Sequence, residues 1–263
     1  MHEAGGPSAN LASAAPAGSR PATVRAWLDR LAAKQRLAVM RPGASLNFEL
    51  AAIAAKLDGE QATFFPQPGG HAIPVVSGLV SRREWIADAM GVAPDRMLKR
   101  FQEAVQAALP CEEVADAPVQ EVQRRSNIDL AALLPAPVHN EHDGGAYITA
   151  GLLISSNPKT GRQNVSINRC QLKGGNRLGV SVSSRDTGSF LAAAEAAGQP
   201  LPIAIVIGVD PLTLIASQAI VAMDQDELEV AGALHGKPLR VVKCLTQNLR
   251  VPADAEIVLE GRI

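Results

Sequence analysis

Apolar residues recur at helical spacing at Val24, Trp27, Leu28 and Leu31 and then close into a short run at Leu37 to Met40, which predicts a helix followed by a strand. "SLNFELAAIAAKLDG" repeats the helical pattern between Ser45 and the stop signal Gly59, with Glu49 placed one residue off a strict capping box. "QATFFPQ" and "AIPVVSGLV" predict strands around a Pro-Gly-Gly turn at 68–70, and "SRREWIADAMG" and "DRMLKRFQEAVQAAL" return to helix. After an acidic, proline-interrupted stretch from Pro110 to Asn127 the style changes. Strand-like runs now dominate: "AYITAGLLISS", "QNVSINRCQLK", "LGVSVSS", "IAIVIGV", "LRVVKCL" and "AEIVLEG". One clear helix, "TGSFLAAAEAAGQ", lies among them, and "DPLTLIASQAI" and "QDELEVAGALHG" are also read as helical. "NPKTGRQN" carries a hairpin signal between the first two strands of this half.

These patterns predict an α+β chain: residues 1–20 a disordered tail, 21–115 an α/β domain, and 116–263 a barrel-like sheet built from hairpins.

Composition narrows the function. The 263 residues are 47% apolar, enough for a substantial core, and carry a formal net charge of -1 with no long basic block, which removes the electrostatic footprint of a nucleic-acid binder. No apolar run approaches the ~20 residues that span a bilayer. Three widely spaced cysteines fit neither a disulfide framework nor zinc spacing, so a reducing cytoplasm is the expected compartment. Aromatics make up only 3%, leaving the chemistry of any site to polar side chains, backbone and a cofactor.

The stretch "QNVSINRCQ", Gln163 to Gln171, alternates as a half-buried strand should but places Arg169 where an apolar side chain belongs. In a regular strand Asn164, Ser166 and Asn168 share one face, and Val165, Ile167, Arg169 and Gln171 share the other. Two readings stand. Either this is an edge strand with a solvated polar face, or Asn164 and Arg169 serve one ligand and the strand bulges or the ligand wraps its end. "HNEHDGGAY" is a turn-forming loop first and a metal cluster second; "KGGN" at 173–176 is a turn before it is a phosphate cradle. Glu227 and Glu229 sit near a helix start, where acidic residues complement the helix dipole.

Four collinear blocks, "LPAPVHNEHDGGAYITAGLLISSNPKTGRQNVSINRCQ", "PLPIAIVIGVDPLTLIASQ", "DELEVAGALHGKPLRVVKC" and "VPADAEIVLEG", resemble the UbiD family of decarboxylases dependent on prenylated flavin mononucleotide. The resemblance implies a split β-barrel that binds this flavin, a cofactor made by a separate flavin prenyltransferase. It implies reversible loss of CO2 from a small aromatic or α,β-unsaturated acid, with a divalent ion, usually Mn2+, and K+ near the phosphate.

Position by position, the resemblance implies that Asn164 and Glu227 bind the metal, that Ile167, Asn168, Arg169 and Gln171 line the flavin, and that Arg169 is catalytic, holding the substrate carboxylate. A guanidinium suits that task because its planar fork matches both carboxylate oxygens. Where many relatives have a metal-binding histidine, this chain reads Arg185-Asp186-Thr187, so Asp186 or Thr187 takes that place. The sequence ends at "EIVLEGRI", ahead of the segment that in relatives supplies acids for proton transfer. The expectation is therefore a UbiD-like carboxy-lyase, with a non-catalytic or split subunit as the alternative. A downstream partner subunit or a homo-oligomer is the implied assembly.

Overall fold

A computed structural model describes residues 20–182, 185–222 and 225–263, the side chain of Arg185 excepted. Of the expected tail only Arg20 lies among them, and it is anchored: its guanidinium donates to the carbonyls of Met90 and His235 at 3.2 and 2.9 Å.

The N-terminal part alternates α1 (Val24–Ala33), β1 (Leu37–Val39), α2 (Glu49–Leu57), β2 (Ala62–Phe65), β3 (Val75–Ser77), α3 (Arg83–Met90) and α4 (Met97–Gln106). Thr23 caps α1 by accepting from Ala26 N, and Val24, Trp27, Leu28 and Leu31 form its buried stripe, as their spacing requires. β1 and β2 run parallel and β3 joins antiparallel. The Ser45 N–H donates to Glu49 at 2.7 Å, so the displaced capping pair is used even though Phe48 occupies the cap position.

Two further sheets follow. β4 (Glu112–Glu113), β9 (Arg240–Lys243) and β10 (Arg250–Pro252) form a small sheet in the order β10-β9-β4. After the single turn α5 (Leu130–Leu133), β5 (Tyr147–Ser156), β6 (Gln163–Leu172), β7 (Leu178–Val180), β8 (Pro202–Ile207) and β11 (Ile257–Arg262) form an antiparallel sheet in the order β11-β8-β5-β6-β7, curled as a half barrel. The expected split barrel is thus present as an open, curled sheet. Helices α6 (Arg185–Ala196), α7 (Pro211–Ala216) and α8 (Glu227–His235) connect its strands.

The half barrel separates two cores. Leu153, Cys170, Ile203 and Ile205 pack against Phe190 and Ala194 of α6 on one face, while Leu152, Ile154, Val165, Ala204 and Val206 pack against β9, β10 and Leu228 on the other. The N-terminal part shares a third core with α7 and α8, where Trp27, Trp85 and Met90 meet Leu212, Val230 and Leu234. Inside that junction His235 Nε2 stands 3.0 Å from Asp210 Oδ1, both side chains buried, which ties the end of α8 to the start of α7. Among the described residues no helix is long and apolar enough to cross a membrane.

Candidate functional site

β6 follows the hairpin signaled by "NPKTGRQN", in which the Asn157 N–H donates to Arg162 O at 2.8 Å. Its inner edge pairs with β5 along its length, but its outer edge pairs with β7 only at Cys170 to Leu172. Among the described residues no strand covers the outer edge from 163 to 169. The backbone groups that point that way are available to other partners.

The first such partner is Glu227. Asp226 caps α8 by accepting from Leu228 N at 2.9 Å, which sets Glu227 at the first helical position, and its Oε2 accepts from Val165 N at 2.9 Å. Glu227 is 4% exposed. Burial pushes its carboxyl up to about 7 and the charges of Asp226 and Asp186 push the same way, while the Val165 N–H opposes them. Burial also raises the carboxyl of Asp226, which is 1% exposed.

On the adjoining face stands Asn164. Its Nδ2 donates to Thr187 Oγ1 at 3.1 Å, and the same hydroxyl lies 3.2 Å from Ser155 Oγ on β5. All three side chains are buried. With its nitrogen committed to Thr187, the Asn164 amide leaves its oxygen available to accept a hydrogen bond or ligate a cation. Thr187 belongs to the first turn of α6, so the N-termini of α6 and α8 both converge on the start of β6. Two helix N-termini close to one point give it a positive field that favours an anion there.

The strand keeps its parity beyond this point. Asn168 shares the face of Asn164 and is buried, its amide donating to Ser166 Oγ at 2.9 Å. Ile167 and Arg169 occupy the opposite face, both exposed, and among the described residues no side chain hydrogen-bonds or ion-pairs with the Arg169 guanidinium. Gln171, also on that face, donates to Gly144 O at 2.5 Å and so fixes the loop of 139–145, whose Glu141 and His142 point into solvent.

A bulge was one way for both faces to serve one ligand, and it lies in the partner strand. The β5–β6 register slips between Ile148 and Gly151, so Thr149 and Ala150 together oppose Arg169. The extra residue keeps Ile148 and Gly151 on one face although they are three apart. Gly151 is required there, because a Cβ would stand 2.9 Å from Ile205 Cγ2.

The structure thus brings together Asn164, Thr187 and Glu227, with the charge of Asp186 acting on Glu227, at one end of the open edge. It puts Ile167 and Arg169 at the other end. Glu229 lies apart from Asn164, 3.6 Å from Arg162. Three contributors escaped the sequence reading: Ser155, Gln163 and Arg250. Gln163 grips the Arg250 backbone through both amide atoms, accepting from its N–H at 2.7 Å and donating to its carbonyl at 3.0 Å. Asp226 did carry a sequence signal, an aspartate directly before a helical run. Among the described residues no group of three or more His, Cys, Asp or Glu forms a metal cluster.

Comparison with known proteins places this geometry in context. Residues 112–263 match the family model described as the 3-octaprenyl-4-hydroxybenzoate carboxy-lyase Rift-related domain, and residues 28–105 match the N-terminal domain of the same carboxy-lyase. An anhydromevalonate phosphate decarboxylase of Methanothermobacter thermautotrophicus is 40% identical over 191 residues, 73% of this chain and 44% of that protein. A phenolic acid decarboxylase of Bacillus subtilis is 38% identical over 163 residues, covering 60% and 34%. Among solved structures, an evolved dimeric form of the UbiD-class enzyme HmfF from Pelotomaculum thermopropionicum, in complex with prFMN (the prenylated flavin), matches with a TM-score of 0.90. It is 44% identical, and the match covers 92% of this chain and 57% of that one. The closed form of a vanillic acid decarboxylase from Sedimentibacter hydroxybenzoicus matches with a TM-score of 0.85 at 30% identity, covering 92% and 54%. The match spans only about a third to a half of the length of these curated relatives.

Proposed function

This chain belongs to the UbiD carboxy-lyase family, and from that premise we propose that it is a decarboxylase that binds prFMN along the outer edge of β6. The substrate class is a small aromatic or α,β-unsaturated carboxylic acid, and the cofactor comes from a flavin prenyltransferase. One observation carries the reading: a strand edge with no strand partner, flanked at its start by two helix N-termini and at its end by an exposed arginine with no partner among the described residues. From Asn164 to Arg169 the strand advances roughly 16 Å, the scale of an extended mononucleotide. A ligand lying along the edge reaches both faces, which removes the conflict between the opposed side chains.

The donors at the start of β6 fit a hard divalent ion such as Mn2+ beside a phosphate. Asn164 offers an amide oxygen and Glu227 a buried carboxylate, and Asp186 adds negative charge close enough to raise the Glu227 carboxyl. Thr187 is spoken for by Asn164 and Ser155, so Asp186 rather than Thr187 takes the third ligand role. K+ has no comparable donor set among these contacts, and its place in the reading rests on the family alone.

When bound, the modified flavin supplies the electron sink that decarboxylation needs. The chain's own residues position. Arg169 would pair with the substrate carboxylate through its planar fork, and Ile167 beside it offers an apolar surface to the ring system. The alternative, a barrel subunit that takes its acid from a partner polypeptide, draws on one observation: among the described residues no Asp or Glu pairs with Arg169.

Exchange of labeled CO2 into a panel of aromatic and acrylic acids, by the chain purified with prFMN, tests the reading. Exchange by the chain alone supports the enzyme, bound flavin without exchange supports the subunit, and neither flavin nor exchange rejects both.

A further inference from the structure

Glu227 is held in place by a closed ring of contacts that nothing in the proposed chemistry uses directly. The ring starts at Gln163, whose amide makes both backbone hydrogen bonds to Arg250 and so acts as a one-residue strand partner for β10. From Arg250 the side chain reaches back: its Nη2 stands 3.6 Å from Asp226 Oδ2. That oxygen is buried and makes no hydrogen bond, while Oδ1 of the same carboxylate caps α8. The next residue, Glu227, closes the ring by accepting from Val165 N, two residues beyond Gln163.

The electrostatics give the ring a direction. A buried carboxylate oxygen without a hydrogen bond is tolerated only where a charge compensates it. Arg250 is the cation 3.6 Å from it, and the charge of Arg162 adds a weaker contribution. Without Arg250, the side chain of Asp226 is driven to turn toward solvent, and that change alters the first turn of α8. Glu227 sits in that turn. Its carboxylate would move relative to Asn164, which Thr187 holds independently.

We infer that Arg250 is a positioning residue: paired with Asp226 and gripped by Gln163, it sets the first turn of α8 so that Glu227 meets Asn164 at the phosphate end of the cofactor site. The inference rests on the reading of Glu227 as a ligand there, and the experiment separates the two.

Mn2+ is titrated in the presence of FMN into wild type, R250M, R250K, D226N and E227Q, with free Mn2+ read by its EPR signal and folding checked by circular dichroism. Asparagine caps helices as well as aspartate, so D226N keeps the α8 cap while removing the charge. Partners that orient metal ligands are worth ten- to a hundred-fold in metal affinity. R250M is therefore expected to bind Mn2+ at least ten-fold more weakly while remaining folded, with R250K recovering most of the loss, whereas D226N, which keeps the cap and has no charge to compensate, stays within a few-fold of wild type. A merely structural arginine would lower the melting temperature and leave the affinity of the folded protein alone. Wild-type affinity in folded R250M, or a loss in D226N as large as in R250M, overturns the positioning role while leaving Glu227 as a ligand. E227Q that binds as tightly as wild type, or a wild type that takes up no Mn2+, overturns the ligand reading and this inference together.

Discussion

Asn164 and Arg169 stand five residues apart on β6 and face opposite ways. Asn164 is 7% exposed and bonded to Thr187, whereas Arg169 is exposed and unpaired among the described residues. The open outer edge between them would let one extended ligand use both, as the proposed cofactor placement requires. Separate tasks follow for the two side chains, and substitutions should separate them.

Arg169→Ala is expected to keep flavin binding and folding while abolishing decarboxylation and CO2 exchange. An exposed side chain without partners contributes within about 0.5 kcal/mol to stability. Flavin absorbance, thermal melting and isotope exchange read the three properties; equal loss of flavin and exchange would make Arg169 a cofactor anchor.

Thr187→Val removes the hydroxyl that accepts from Asn164 and pairs with Ser155. A buried amide donor left unpaired costs about 1–3 kcal/mol. The variant is expected to melt several degrees lower and to bind FMN with Mn2+ more weakly, while Thr187→Ser, which keeps the hydroxyl, stays close to wild type on both measures. Equal melting of the valine and serine variants contradicts the assignment.

Metal-free protein should carry a pH signature from Glu227. Its carboxyl lies at about 7 in the fold against an ordinary 4.5, so folded protein holds a proton that the unfolded chain has released between these values. Stability from this group is fully present below about pH 4.5 and is lost as pH rises through 7, amounting to roughly 3 kcal/mol at 1.36 kcal/mol per unit. In EDTA, Glu227→Gln is expected to show a flatter profile than wild type across this window and to be the more stable at pH 8. Parallel profiles from urea melts would contradict the burial argument.

The three thiols should be quiet. Burial pushes Cys111 and Cys244 up to about 12 and Cys170 up to about 11, far from the thiolate. Native protein is expected to resist iodoacetamide at pH 7.5 and to be alkylated at all three positions in urea, as counted by mass spectrometry. Rapid alkylation of native protein at any one of them contradicts this.

The chain's local physics explains which features could be read in advance. Long alternating runs such as Tyr147–Ser156 and Gln163–Leu172 identified themselves, because half-buried strands impose a period of two. β10 did not, since Arg250–Pro252 has three residues, one of them proline, and is held by β9 and by the Gln163 side chain. An irregularity was anticipated around Arg169 but sought in its own strand. It sits in β5, where Gly151 avoids Ile205, a tertiary contact no local pattern reports. Glu227 and Val165 are 62 residues apart, and their hydrogen bond depends on how α8 lands against β6. The resemblance pointed to Asn164 and Glu227 as residues; only the fold supplied Thr187 as the group that orients Asn164.

The most direct test of the account is to produce the chain together with a flavin prenyltransferase and to measure bound flavin by absorbance and mass spectrometry, in wild type and in Asn164→Ala with Glu227→Gln. The account predicts prFMN co-purifying with wild type and lost from the double variant. Wild-type protein carrying no flavin, or a double variant that retains it fully, would contradict the placement of the cofactor along β6.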